Sequence, residues 1–358
     1  MMAAPVLPDQ LAIASADLDD PATCARIERW LADRPDSTPF HRPAWIRAVA
    51  RGNRQRAHLL LVEDAGGAIV GLLPLNLIHS PLFGRALVSS GFAVDGGILA
   101  DDAMVIEALA SRAIALATCW SAPTVELRGG RAPAIGYSVR TGAYLGFVRP
   151  LAADDEAELL AIPRKHRAEV RKGLANDFAF RVGSDDALRE AFYTLYCRSV
   201  HNLGTPVFPR AMFEAVLDAF GADAEIGAVY HQGRPLSAIL SLVHGAAYMP
   251  YWQGADTEAR QARANEVAYF RLMGRARERG CAMFDFGRSK VGTGPALWKK
   301  TWGFEGEPLS YYVHAAPGHE PRDINPLSPR YRRKIALWKA LPKGVADRLG
   351  PWIARGLG

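Results

Sequence analysis

Two stretches of the chain repeat one pattern, and that repetition constrains the fold more than any other feature. AHLLLVEDAGGAIVGLLPLNLI spans residues 57–78 and AEIGAVYHQGRPLSAILSLVHG spans 224–245. Both read as strand, tight turn, strand, with turns at Asp64-Ala65-Gly66-Gly67 and His231-Gln232-Gly233-Arg234, the residue types that two-stranded turns need. Each hairpin leads on to a long apolar-periodic helix, Asp101–Trp120 or Ala262–Arg279, and then to a short strand, Pro123–Arg128 or Ala282–Phe286. Asp101 or Asp102 caps the first helix, and Gly280 stops the second. The expectation is a duplicated α/β unit with mixed sheets, against the alternative that short hairpins recur by chance. A chain of 358 residues has room for two such units.

Around this frame the sequence predicts helices over Pro21–Leu31, after Phe40-His41-Arg42-Pro43, and over Pro163–Leu174, Asp185–Val200, Pro209–Phe220 and Pro295–Trp302. Further strands are expected over Ala246–Gly254 and Leu309–His314. The divisions are 1–155, 156–316 and an extension over 317–358. From Pro326 onward eight Lys/Arg face one Asp, a net +7 that leaves the rest of a +6 chain near −1. The basic character therefore belongs to the tail.

Several classes are disfavoured. Cys24, Cys119, Cys197 and Cys281 are scattered with no CxxC pair, so reduced thiols are expected rather than a disulfide frame or zinc knuckle. The nine histidines show no HExxH-like spacing, and no metal is expected. The N-terminus lacks a basic region ahead of an apolar run, and the longest apolar run, Ile69 to Ile78, is broken by Gly71, Pro74 and Asn76. A cytoplasmic protein is expected, with peripheral contact at the inner face of the cytoplasmic membrane open to the basic tail. The run from Gly287 to Gly294 is a near miss to a P-loop, with Thr293 where Lys belongs, and fails as a nucleophile elbow at Val291.

The more specific signal lies in GCAMFDFGRSKVGTGPALWKKTWGF (280–304), HNLGTPVFPRAMF (201–213) and IPRKHRAEVRKG (162–173), with FHRPAWIRAV (40–49) and LFGRALVSSGFAVDGG (82–97) in the first half. Together these resemble the FemAB-like branch of the GNAT superfamily over roughly residues 40 to 315, closest to the subgroup associated with exosortase/PEP-CTERM exopolysaccharide systems. The resemblance implies an α/β fold of two tandem GNAT-like acyltransferase domains with a basic C-terminal extension. It implies N-acyl or aminoacyl transfer to an amine on an envelope or polysaccharide precursor, with no tightly bound cofactor. The donor is then a co-substrate, either aminoacyl-tRNA, which makes tRNA a partner, or acyl-CoA. A CoA-dependent N-acyltransferase and a non-catalytic GNAT-like assembly protein are the other readings.

Acyl transfer to an amine needs a proton acceptor, a partner for the oxyanion and two substrates held together. By resemblance, Trp298-Lys299 matches the aromatic–Lys pair of peptidoglycan-bridge enzymes. Lys299 is therefore the first candidate for the oxyanion and Lys300 its substitute, against a plain solvent-facing lysine. Asp285, between two phenylalanines, is a candidate base or amine holder, against an ion pair with Arg288 or a nearby lysine. Strand alternation puts Tyr251 and Gln253 on one face and Trp252 on the other, with Tyr251 a candidate proton carrier. Arg288, Ser289 and Lys290 form a basic loop for phosphate. Asn265 opens a helix where ordinary acetyltransferases carry a glycine-rich pyrophosphate loop, but Ala262 and Ala264 stand where glycines are expected. The basic helix carries Arg164, Lys165, Arg167 and Arg171, with 164, 167 and 171 on one face, for tRNA, nucleotide-sugar or lipid-linked phosphate, or as a solvated helix surface.

Overall fold

The computed structural model describes residues 11–80, 84–320, 338 and 341–356. The first sheet holds β1 (Leu11–Ser15), β2 (Arg56–Asp64), β3 (Ile69–Ser80), β4 (Gly84–Val88), β5 (Leu99–Ala100), β6 (Thr124–Arg128) and β7 (Ser138–Arg140). The second holds β8 (Tyr144–Pro150), β9 (Ala179–Gly183), β10 (Ala224–His231), β11 (Arg234–His244), β12 (Ala247–Ala255), β13 (Met283–Lys290) and β14 (Glu307–Pro308). A last strand, β15 (Tyr311–Ala315), returns to the first sheet. The helices are α1 (Pro21–Ala32), α2 (Pro43–Asn53), α3 (Ala103–Cys119), α4 (Asp155–Ala161), α5 (Arg164–Leu174), α6 (Asp186–Leu203), α7 (Arg210–Phe220), α8 (Ala264–Glu278), α9 (Gly294–Thr301) and α10 (Lys343–Ala354).

The repeat is real and extends beyond the hairpin. In the first sheet β2, β3 and β4 run antiparallel, α3 crosses over, and β6 pairs parallel to β4. In the second, β10, β11 and β12 run antiparallel, α8 crosses over, and β13 pairs parallel to β12. Asp102 caps α3 by accepting from the Met104 and Val105 amides, as its type and place predict.

The unit boundaries do not follow positions 155 and 316. The antiparallel neighbour of β6 is β15, from the far end of the chain, while the antiparallel neighbour of β13 is β8, which lies before residue 155. The two repeats thus exchange their closing strands.

Three cores follow. One lies between the first sheet and α3, around Leu73, Leu109 and Leu127. One lies under α8, around Tyr248, Phe270 and Trp302. The third is shared, joining Phe40, Trp45, Phe92 and Ala93 of the first half to Phe192, Phe213 and Trp252 of the second. At that junction α2 and α7 approach so closely that a Cβ on Gly52 would overlap the Met212 backbone. No helix among the described residues is long and apolar enough to cross a membrane. Of the basic run Tyr331–Lys339, only Trp338 lies within the described residues, and it is buried.

Candidate active site

Strands β12 and β13 pair only at Ala247↔Met283 and Tyr248↔Phe284, then part. Each carries an irregularity just past that point. On β12 the register to β11 slips so that Tyr251 is an extra residue between Pro250 and Trp252. On β13 the pairing to β8 skips Phe286 and Gly287, and Gly287 takes a φ of 62°, a value that favours glycine. Two parallel strands that separate leave a crevice beyond their carboxyl ends, where open α/β sheets place ligands.

The Tyr251 bulge also changes which side chains meet. Tyr251 and Trp252 both pack toward the shared core, their ring centroids 4.6 Å apart, with Tyr251 against Phe40 and Trp45. Gln253 faces the opposite layer, donating to Asn265 Oδ1 at 2.9 Å and accepting from the Tyr269 hydroxyl at 3.2 Å. Strict alternation, which placed Tyr251 beside Gln253, fails because the inserted residue resets the pleat.

A loop from the first half closes the crevice from the other side. Three successive carbonyls of that loop accept from three separated residues: Phe92 from Tyr251 Oη (2.7 Å), Ala93 from Arg128 Nη1 (3.0 Å) and Val94 from Tyr311 Oη (3.0 Å). The Arg288 guanidinium donates to the Tyr311 hydroxyl and lies 4.5 Å over the Tyr144 ring. The next residue, Asp95, accepts from the Gly96 amide at 2.6 Å, and a Cβ on Gly129 would run into its carboxylate. Burial raises the Asp95 pKa, against the Gly96 and Gly97 amides that lower it.

Asp285 faces this loop. Its Oδ1 accepts from the Gly287 amide at 2.6 Å. Burial pushes its pKa up to about 6, against Gly287 and the Lys299 charge, and the Asp95 carboxylate adds to the rise. Both carboxylates are half-buried, and the Asp95 charge, from the first half of the chain, reaches Asp285 in the second. Arg288 is engaged with tyrosines and makes no ion pair with Asp285.

Lys299 reaches the site from α9, but its ammonium is spent on the backbone. It donates to the carbonyls of Phe286 (2.6 Å), Gly287 (3.3 Å) and Arg288 (3.0 Å), and so ties down the β13 bulge. Burial lowers its pKa to about 8, against the pull of Asp285, while Arg288 lowers it further. It is neither a solvent-facing lysine nor a free oxyanion partner. Trp298 packs on Tyr269 and Phe286 at 5.0 and 5.8 Å, and Lys300 is exposed.

Residues 163–300, from just before α5 into α9, match the family model described as "Acetyltransferase (GNAT) domain". No curated protein matches the chain. Among solved structures, FemX superposes with a TM-score of 0.66 at 15% identity, over 84% of this chain and 96% of that one. A tandem GNAT protein from the clavulanic acid biosynthesis pathway gives 0.57 at 14% identity, over 87% and 100%. N-myristoyltransferase of Saccharomyces cerevisiae, solved with bound myristoyl-CoA, gives 0.52 at 12%, over 87% and 85%. The fold is a tandem GNAT fold.

Within that fold the remaining candidates divide. The run 288–290 is not a phosphate loop: Arg288, Ser289 and Lys290 continue β13 and pair with Gly146, Leu145 and Tyr144 of β8. Only Val291–Thr293 turns. The segment before α8 carries no glycine cradle. Arg263, at a φ of 61°, is paired with Glu169 of α5 and donates to the Arg260 and Gln261 carbonyls at 2.6 and 3.2 Å. Glu266 in the first turn of α8 adds a second carboxylate there, its pKa raised by burial. On the basic helix, Arg167 folds back onto the carbonyls of Leu160 and Ile162, so it does not join Arg164 and Arg171 as a free face. Arg164, Lys165 and Arg171 are exposed. The crevice gathers Asp285, Arg288, Tyr251 and Lys299, and adds Asp95, Arg128, Tyr144 and Tyr311, which sequence reasoning missed. Asp95-Gly96-Gly97 was the available signal, since Gly96 sits at a φ of 109°. Among the described residues no group of three or more His, Cys, Asp or Glu is placed to hold a metal.

Proposed function

We propose that the protein transfers an acyl or aminoacyl group to an amine. The donor enters between β12 and β13, and the acceptor enters at the seam marked by Asp95 and Asp285. The observation that carries this reading is the parting of β12 and β13 beside Asp285, whose pKa is raised to about 6 by burial, with the Asp95 charge adding to the rise. An extended donor arm can add where the two strands part, and backbone N–H groups freed from the β12–β13 ladder can donate to a developing oxyanion. The acceptor arrives as an ammonium ion, which the two carboxylates attract. Asp285, largely ionised at neutral pH with a pKa near 6, takes one proton. The freed amine attacks the donor carbonyl and a tetrahedral intermediate forms. Its collapse breaks the bond to the donor sulfur or oxygen, which takes the second amine proton and leaves as the thiol or hydroxyl, and Asp285 returns its proton to solvent. Arg288, Tyr311 and Tyr251 hold the loop that presents Asp95, and Lys299 holds the bulge that presents Asp285.

For the donor, Ala262 and Ala264 in place of a glycine cradle, with the Glu266 carboxylate in the first turn of α8, favour aminoacyl-tRNA over acyl-CoA. The exposed Arg164, Lys165, Arg171 and Lys300 suit a polyanion. An acceptor on a cell-envelope or exopolysaccharide precursor rests on the sequence resemblance. The deciding experiment is donor binding: calorimetry with acetyl-CoA and a longer acyl-CoA, beside filter binding with charged and uncharged tRNA at one salt concentration. Selective retention of one aminoacyl-tRNA supports the favoured donor. Micromolar acyl-CoA binding without tRNA preference replaces it with the CoA-dependent reading. Binding of neither class defeats the transfer proposal.

A further inference from the structure

Helix α10 has two faces, and only one packs against the described residues. Ala346, Gly350 and Ala354, spaced i, i+4, i+8, are buried, and a Cβ on Gly350 would come within 2.8 Å of the Val207 amide nitrogen. The C-terminal end is anchored where Gln55 Nε2 donates to the Arg355 carbonyl at 2.8 Å. Small residues thus seat the helix tightly and fix its rotation. The opposite face carries Val345, Arg348, Leu349 and Trp352, spaced i, i+3, i+4, i+7. Val345, Leu349 and Trp352 are 42%, 45% and 52% exposed, which is unusual for three large apolar side chains in one stripe.

Charge identifies what covers this stripe. Arg348 stands within it, Lys343 begins the helix, and residues 326–358 carry eight Lys/Arg against one Asp. A protein partner of ordinary mixed charge would not call for such one-sidedness, whereas an anionic lipid surface does. Trp352 suits the headgroup boundary, and the cations suit the phosphates above it. A single 12-residue helix buries too little apolar area to insert irreversibly, so the contact is reversible and salt-sensitive.

We propose that the Val345–Arg348–Leu349–Trp352 face of α10 docks the protein on an anionic membrane surface. This inference does not depend on the acyl-transfer reading, because its readout is lipid binding and not turnover. The test is co-sedimentation of the full chain with phosphatidylcholine vesicles and with vesicles containing phosphatidylglycerol and cardiolipin, at low and high salt. The expected result is binding to the anionic vesicles only, weakened by salt. Leu349→Ser with Trp352→Ser should reduce that affinity by about tenfold or more. Both side chains are exposed, so circular dichroism and the melting temperature should stay unchanged, and Val345→Ser serves as a second variant. Equal binding to neutral vesicles, no binding to either, or unchanged affinity in the variants would overturn the proposal. So would a dimer, seen by light scattering, that the same substitutions dissociate, since the face would then join two copies of the chain.

Discussion

Lys299 was legible in the sequence as a special lysine, but its task was not. The Trp298-Lys299 pair marks the position, yet only the fold shows the ammonium held by three carbonyls of one bulge. Lys299→Ala therefore removes the donor from buried acceptors, and a loss of about 1–3 kcal/mol is expected in urea melts. Lys299→Met keeps the packing but not the hydrogen bonds, so it should recover only part of that stability and little turnover. Asp285 behaves in the opposite way. Its folded pKa, near 6, lies above the ordinary 3.8, so the folded state binds that proton more tightly than the unfolded chain does. The ionised carboxylate thus costs stability at neutral pH, and the cost fades as pH falls from about 6 toward 4. Asp285→Asn should melt no lower than the parent at pH 7 while losing most of its turnover. The parent's rate should fall as pH drops through about 6, measured as kcat/KM against pH. Asp95 escaped notice because its partner comes from the other half of the chain, a proximity that no local spacing encodes.

The hairpins, the long helices and the aspartate that caps α3 were readable because period, turn chemistry and cap chemistry agree in each of them. Reading failed where one inserted residue overrides the period. The Tyr251 bulge turns Tyr251 and Trp252 to the same side, and the Gly287 bulge lets β13 run on to Lys290, although a glycine followed by basic residues resembles a loop. Tyr251→Phe keeps the ring in its aromatic nest but removes the bond to the Phe92 carbonyl. The expected outcome is a reduced kcat with little change in melting temperature. Beside this bulge β12 runs against α6 so closely that a Cβ on Gly254 would overlap the backbone of Leu195 and Tyr196. Gly254→Ala should destabilise the protein by about 1–3 kcal/mol, read from the urea midpoint.

The seam between the halves contains two histidines kept neutral. His41 accepts from the Thr38 amide at Nδ1 (3.0 Å) and donates from Nε2 to the Gly97 carbonyl (3.1 Å), bracing the Asp95 loop. His244 Nε2 lies 2.8 Å from the Ser37 hydroxyl. Burial lowers both pKa values to about 4, with His244 adding to the drop at His41 and Arg42 to that at His244. Between pH 6.5 and 4 the unfolded chain takes up protons that these folded histidines refuse, so stability should fall over that window. Asp285 and Asp95 act in the opposite sense there. The histidine share is therefore read as the difference in melting temperature between the parent and His41→Gln or His244→Gln across pH 7 to 4.5, which should shrink the acid loss. The exchange of β8 and β15 reaches furthest of all. A nick between β8 and α4 would leave each fragment holding the strand that the other sheet lacks. Neither fragment should fold when expressed alone, yet the pair should reassemble when mixed, because each completes its partner. The two repeats are interlocked as two copies of one unit would be had they traded arms, so each half of the chain is the missing piece of the other.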